Sequence, residues 1–222
     1  TIAKERQQLG LPPLKVFGNR KVTDSLSFYL SHTLNANHRL MNSDLDVPIR
    51  VHELKPFEQM EIDELSVIPV PANHGFSYLL ADEYPGSDGL EQLWYAQEPL
   101  LIKNEDAYNY IIATQQGACM FYGLDSDWPL PETVAEMRKH KFDFMILDGT
   151  FAFEEIKRPV GHMNFYTLSE LVTILREQKL LIGKAYASHL SLHYTPPYEE
   201  AELWLKKQGI VLAFDSLVIN SN

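Results

Sequence analysis

Residues 142–150 read FDFMILDGT: a short apolar run that stops at Asp148 and is followed by Gly149 and Thr150. The run predicts a strand from Phe142 to Leu147, with Asp148 at its end. The same design recurs around it. Tyr108–Thr114 and Ala118–Leu124 predict a β-hairpin about Gln115-Gln116-Gly117, and Asp125 follows its second strand. Lys184–Ser188 predicts a strand ending at His189, and Met60–Val70 predicts one running into Pro-Ala-Asn-His74-Gly. Polar residues of metal-binding type thus follow one apolar run after another. Side chains at the same ends of neighbouring strands converge, which makes these positions a candidate site.

The remaining elements are read from periodicity and caps. Leu14–Phe17 and Pro48–Leu54 predict strands. Thr23 or Asp24 caps a helix running to about Leu34, and Pro131–His140 predicts a second helix. Thr167-Leu-Ser-Glu170 has the form of a capping box, with Leu168, Leu171, Val172 and Leu175 on one face of the helix after it. Thr195 caps a helix with Pro196 and Pro197 in its first turn and Gly209 as its stop. Ile210–Phe214 and Ser216–Ile219 predict a closing hairpin. Residues 76–107 are irregular and predict an insertion, either a lid or a surface excursion with no part in chemistry. Antiparallel strands come first and strands alternating with helices follow. This order predicts a mixed, layered α/β domain with helices outside.

Composition narrows the function classes. With 222 residues, 45% of them apolar, the chain can build a substantial core. No apolar run is long enough to span a bilayer, and the N-terminal TIAKERQQLG has no signal-peptide character. A lone cysteine, Cys119, excludes a disulfide framework and predicts a reduced, cytoplasmic setting, with the thiol in the core. The net charge is −11, without a Lys/Arg cluster, so nucleic acid is not an expected partner.

Singly, the polar residues have ordinary readings. His74 before Gly75 reads as a turn residue, Asp125 and Asp127 as turn caps, and His162 as a loop residue before a helix. Together they read differently. Imidazole and carboxylate are the ligands of zinc, manganese and iron at neutral pH. A pair of such ions activates water for displacement at phosphorus, and needs a bridging carboxylate flanked by histidines. Asp125 suits the bridge; His74 and His189 suit the flanks. His32, His38, His52, His140 and His193 have no comparable context.

The succession Asn-His74, the hairpin ending at Asp125, Phe-Met-Ile-Leu-Asp148-Gly-Thr, Gly-His162-Met-Asn, Tyr-Ala-Ser-His189-Leu-Ser and Ala-Phe-Asp215-Ser-Leu-Val-Ile resembles the metallo-β-lactamase superfamily. Within it, the likeness is to the phosphoribosyl cyclic phosphodiesterases. It runs from about residue 10 to 220 apart from the insertion, and is most specific over 144–217. The resemblance implies an αββα fold in one domain over 1–222, and a metal-dependent hydrolase acting on a small cyclic phosphodiester through a metal-bridging hydroxide. It implies His74, Asp125 and His189 as metal ligands, Asp125 bridging with Asp127 as second choice. It further implies His162 as general acid or substrate contact, Asp148 as the residue orienting a ligand, and Asp215 as structural.

The superfamily's His-x-His-x-Asp-His motif does not occur, since no two of the eight histidines are two positions apart. The resemblance places that motif before Thr1, so the chain is expected to be the C-terminal two-thirds of an N-terminally incomplete fold. Two divalent ions are expected in the complete protein, and fewer or none in these residues by themselves. The face left by the missing strands predicts a homodimer or a rearranged sheet. The competing readings are a non-catalytic interaction module of the same fold that has lost its metals, and a nuclease, which the acidic balance disfavours.

Overall fold

The structure is a computed structural model, and it describes residues 5–6, 8–33, 49–74, 107–154 and 161–219. The expected insertion, all but residue 107, and the side chains of His32 and His38 lie outside these residues. The chain divides into two compact units, Thr1–Glu58 and Gln59–Asn222.

In the first unit, β1 (Leu14–Gly18) pairs in parallel with β2 (Ile49–Glu53), and α1 (Arg20–Thr33) follows β1. The helix starts earlier than its threonine suggests. Asn19 Oδ1 accepts a hydrogen bond from the Val22 N–H at 2.9 Å, so Asn19 is the cap. Thr23 sits inside the first turn, its hydroxyl bonded to the Arg20 carbonyl. His52 stacks on Phe17.

The second unit is built on a seven-stranded sheet in sequential order: β3 (Met60–Ile62), β4 (Leu65–Pro71), β5 (Tyr108–Thr114), β6 (Cys119–Gly123), β7 (Phe142–Asp148), β8 (Leu181–Ser188) and β9 (Ile210–Leu212). The strand expected over Met60–Val70 is folded in two. Ile62 pairs with Leu65, and Asp63 takes the left-handed conformation (φ 54°) that the tight turn between them requires. Strands β3 to β6 pair antiparallel and β6 to β9 pair parallel. The parallel half is connected by α2 (Pro131–Met137), α3 (Phe165–Glu177) and α4 (Tyr198–Lys207). Crossovers that all step the same way, and share one handedness, put their helices on one face of the sheet.

The alternation along each strand shows that face. Ile111, Phe121, Met145, Leu147, Ala185 and Ala187 point to it, and form one buried cluster with Val134 and Met137 of α2, Leu168, Leu171 and Leu175 of α3, and Leu205 of α4. The opposite face carries Ile112, Met120 and Phe144 beside a groove of about 470 Å³. Leu217 and Ile219 also line this groove, and the expected closing hairpin does not form. β9 pairs with β8 instead, and residues 213–219 contain no strand.

Two helix starts also move. Asn164, not Thr167, caps α3; Thr167 is its partner at the third helical position, completing the reciprocal pair of bonds. Pro197 precedes α4 as its cap, so neither Pro196 nor Pro197 lies inside the helix. Among the described residues no helix is long and apolar enough to cross a membrane.

Candidate metal centre

Strand direction dictates where the polar strand ends gather. β5 is antiparallel to both β4 and β6, so β4 runs the same way as β6. β7 and β8 continue in that direction. His74 just after β4, Asp125 just after β6, Asp148 at the end of β7 and His189 just after β8 therefore share one edge of the sheet. Carboxyl ends of parallel strands are where open α/β sheets place their ligands.

β5 separates β4 from β6, and a buried polar network closes that gap. Asn73 donates from its side chain to the Trp128 carbonyl (3.0 Å) and accepts on its own carbonyl from the Asp127 N–H (2.9 Å). Its backbone N–H reaches Ser126 Oγ at 3.3 Å, and Asn109 of β5 donates to the same hydroxyl at 3.1 Å. The loop after β6 is thereby drawn over the end of β5 toward His74. Asp127 Oδ1 accepts from the Trp128 N–H at 2.7 Å. It is Asp125 that places a carboxylate oxygen among the imidazoles.

Around Asp125 Oδ1 stand three ring nitrogens: His74 Nε2 at 3.3 Å, His162 Nε2 at 3.6 Å and His189 Nε2 at 3.8 Å. The His162 and His189 rings are stacked, and His74 meets His162 edge-on. Behind them, Asp148 has no exposed surface. Its Oδ2 lies 3.0 Å from His162 Nδ1 and 3.2 Å from His189 Nδ1. Its Oδ1 accepts from the Thr150 and Met163 N–H groups. The Asp148 hydrogen bond is the main reason that the His162 pKa stands above the ordinary imidazole value. Burial opposes it, and the charges of Asp148, Asp125 and Asp127 add to the rise.

Backbone strain marks the same residues. Asp125 (φ 54°) and His189 (φ 60°) both occupy the left-handed region. That conformation costs a non-glycine residue roughly 1–2 kcal/mol, and such strain concentrates at functional sites.

The donor set suits a divalent ion. Asp125, Asp148, His162 and His189 each offer a ligand atom within 4.8 Å of the others. A tetrahedral zinc site with Zn–N bonds of about 2.0–2.1 Å has ligand-to-ligand edges of about 3.3 Å. The three nitrogens lie close to that spacing from Asp125 Oδ1, before any contraction about an ion. Asp148, through Oδ2, faces the far nitrogens of two of these rings, where a carboxylate orients a ligand.

The structure thus brings Asp125, Asp148, His162 and His189 of the expected set into one group; His74 stands outside that group and touches it through Asp125 and the edge of the His162 ring, and Asp127 turns its carboxylate to the Trp128 N–H. It adds Thr150, whose hydroxyl lies 3.2 Å from His162 Nδ1 and 2.9 Å from His189 Nδ1. A threonine after Asp-Gly has the look of a turn residue, and only the contacts to His162 and His189, across 12 and 39 positions, reveal it. His140 is apart from this centre, bonded to Glu136. Phe151 packs edge-on against His162 and against Tyr194, forming an aromatic shoulder beside the cluster.

No protein-family model matches the sequence, and no curated protein matches it. Solved structures do. The metallo-beta-lactamase fold protein YhfI from Bacillus subtilis superposes with a TM-score of 0.54 at 12% identity, over 95% of this chain and 68% of that one. Yeast PDE1 gives 0.53 at 14% identity, over 91% and 58%. The isothiocyanate hydrolase from Delia radicum gut bacteria gives 0.51 at 16% identity, over 96% and 69%. The chain thus spans about 58–69% of the length of these structures. Sheet order, helix placement and these superpositions agree that the chain has the metallo-β-lactamase fold.

Proposed function

We propose that the chain carries part or all of the active centre of a metal-dependent hydrolase, and that its substrate is a small phosphodiester, cyclic phosphodiesters first among them. The observation that carries the reading is the arrangement of three imidazole Nε2 atoms about one Asp125 oxygen, two of the rings being held from behind by the buried carboxylate of Asp148.

His74, Asp125 and His189 would hold the ion. A divalent metal bound there supplies Lewis-acid activation of water and of the phosphoryl group. The chain's own residues supply the rest. Hydrolysis forms one P–O bond to water, breaks the P–O bond to the leaving group, and leaves that oxygen in need of a proton. His162 is the group suited to give it. Its Nε2 faces the cluster and its Nδ1 lies 3.0 Å from the buried Asp148 carboxylate, so the transferable proton would be the one on Nε2. The acidic chain favours a compact anion gripped by metal over a long polyphosphate backbone.

The test is metal content per chain on purified protein, compared with His74→Ala and His189→Ala variants, together with hydrolysis of cyclic and linear phosphodiesters. The reading expects bound zinc, manganese or iron that both variants lose, and phosphodiester turnover that follows the metal. Folded wild-type protein that takes up none of these ions would overturn it.

A further inference from the structure

Two histidines share one hydroxyl, and the hydroxyl has a single proton to give. Thr150 Oγ1 makes three contacts: 2.8 Å to the His189 carbonyl, 2.9 Å to His189 Nδ1 and 3.2 Å to His162 Nδ1. A carbonyl can only accept, so the hydroxyl proton goes there. What remains on Oγ1 is lone pairs, and these can only accept. Both ring Nδ1 atoms must then carry hydrogen. Asp148 Oδ2, 3.0 and 3.2 Å from the same two nitrogens, makes the same demand as an ionised carboxylate. Each Nδ1–H is thus shared between a carboxylate and a hydroxyl.

We propose that Thr150 is a positioning residue that, together with Asp148, fixes the tautomer and ring orientation of both His162 and His189, holding the proton on Nδ1 and leaving both Nε2 lone pairs facing Asp125. This deepens the reading of the cluster as a metal centre, on which its effect on ion binding rests; the tautomers themselves do not depend on that reading. The anchoring of Thr150 is consistent with the role. Its N–H is bonded to Asp148 Oδ1, its carbonyl accepts from the Ser191 N–H, and the neighbouring Gly149 N–H bonds the Ser188 carbonyl. The turn after β7 therefore clasps the segment after β8 on both sides of His189. The hydroxyl bond to the His189 carbonyl also secures that residue in its left-handed conformation. For His162 the consequence is chemical. A ring whose Nδ1 proton is committed on two acceptors exchanges protons with substrate at Nε2 alone.

The experiment is ¹⁵N NMR of the histidine side chains in the metal-free full chain at about pH 9, above the ordinary imidazole range, with zinc affinity measured by chelator competition. Variants are Thr150→Val, which keeps the shape and removes the hydroxyl, and Thr150→Ser, which restores it. The wild type should show His162 and His189 as Nδ1–H tautomers. Thr150→Val leaves the single Asp148 Oδ2 to hold both Nδ1–H groups, and should lose that state in at least one ring and weaken zinc about tenfold to a hundredfold, the range for ligand-orienting partners; Thr150→Ser should recover both. An Nε2–H tautomer at either ring of the wild type overturns the proposal, whatever the variants do. So does a Thr150→Val protein with both tautomers and zinc affinity intact. A wild type with both Nδ1–H tautomers, lost in Thr150→Val and restored in Thr150→Ser, but without zinc uptake supports the assignment of Thr150 and sinks the metal reading.

Discussion

Asp148 and His162 are joined by a 3.0 Å contact between Oδ2 and Nδ1 in which the carboxylate is wholly buried and the imidazole is not. A buried carboxylate needs donors around it. Asp148 has them, because the Thr150 and Met163 N–H groups bond its other oxygen. Replacing it with asparagine keeps the shape but gives the rings a weaker acceptor and a competing N–H. Asp148→Asn should lower zinc affinity about tenfold to a hundredfold, and chelator competition on the folded variant checks this. Unchanged affinity would mean that Asp148 does not orient the ligands.

Gly183 marks a point where β7 and β8 come closer than any side chain allows. The register shifts between Phe142 and Phe144, and a Cβ on Gly183 would lie 1.7 Å from the Asp143 carbonyl oxygen. The obstacle is backbone in a paired strand, so it cannot swing aside. Gly183→Ala should destabilise the fold by about 3 kcal/mol, the upper part of the overpacking range. Denaturant unfolding measures it; a midpoint unchanged from the wild type would show that the bulge has slack.

Helix α3 ends with Lys179 in the left-handed conformation (φ 57°). The Leu180 N–H bonds the Leu175 carbonyl and the Lys179 N–H bonds the Arg176 carbonyl, the Schellman pattern in which glycine is favoured at this position. Lys179→Gly should stabilise the protein by about 1 kcal/mol, seen as a higher Tm with no change in metal binding.

Cys119 is buried at the start of β6. Burial, helped by the negative charge of Asp143, pushes its pKa up to about 11. At pH 8 only about one chain in a thousand would then carry the reactive thiolate. A thiol reagent should label the native protein far more slowly than the denatured one, and rapid native labelling would contradict the burial.

Glu136 in α2 bears on acid stability. Burial alone would raise its pKa, but hydrogen bonds and charge from Lys139 and His140 outweigh it and leave the value lowered. A depressed carboxylate contributes stability above its unfolded pKa, near 4.3, and loses it as pH falls through the folded value. Glu136→Gln should therefore lower Tm by a few degrees at pH 7 and by less at pH 3. An equal loss at both would assign the effect to packing.

The candidate site was largely legible because its members follow apolar runs whose ends are visible in sequence. His74, Asp125, Asp148 and His189 each stand where hydrophobic patterning stops. What was missed depended on contacts distant in sequence or on choices between equivalent residues. Asn19 and Asn164 took the caps that Thr23 and Thr167 also suited, and Asp63-Glu64 turned a strand without the usual Asn-Gly or Asp-Gly signal. The end of the chain was misread because an apolar pair of runs suggests a local hairpin, whereas the partner of β9 is β8, across α4. Thr150 was illegible for the same reason, since its meaning lies in His162 and His189.

The groups around Asp125 come from just after β4, β6 and β8 and from the loop before α3, from residue 74 to residue 189. In a zinc finger, ligands close in sequence let the ion nucleate folding. Here the donors meet only after five neighbouring strands have zipped together, and such long-range pairings form slowly. An ion bound at the cluster would therefore join late in folding and not seed it. A nascent chain that has not yet made β8 has no assembled cluster for an ion to enter.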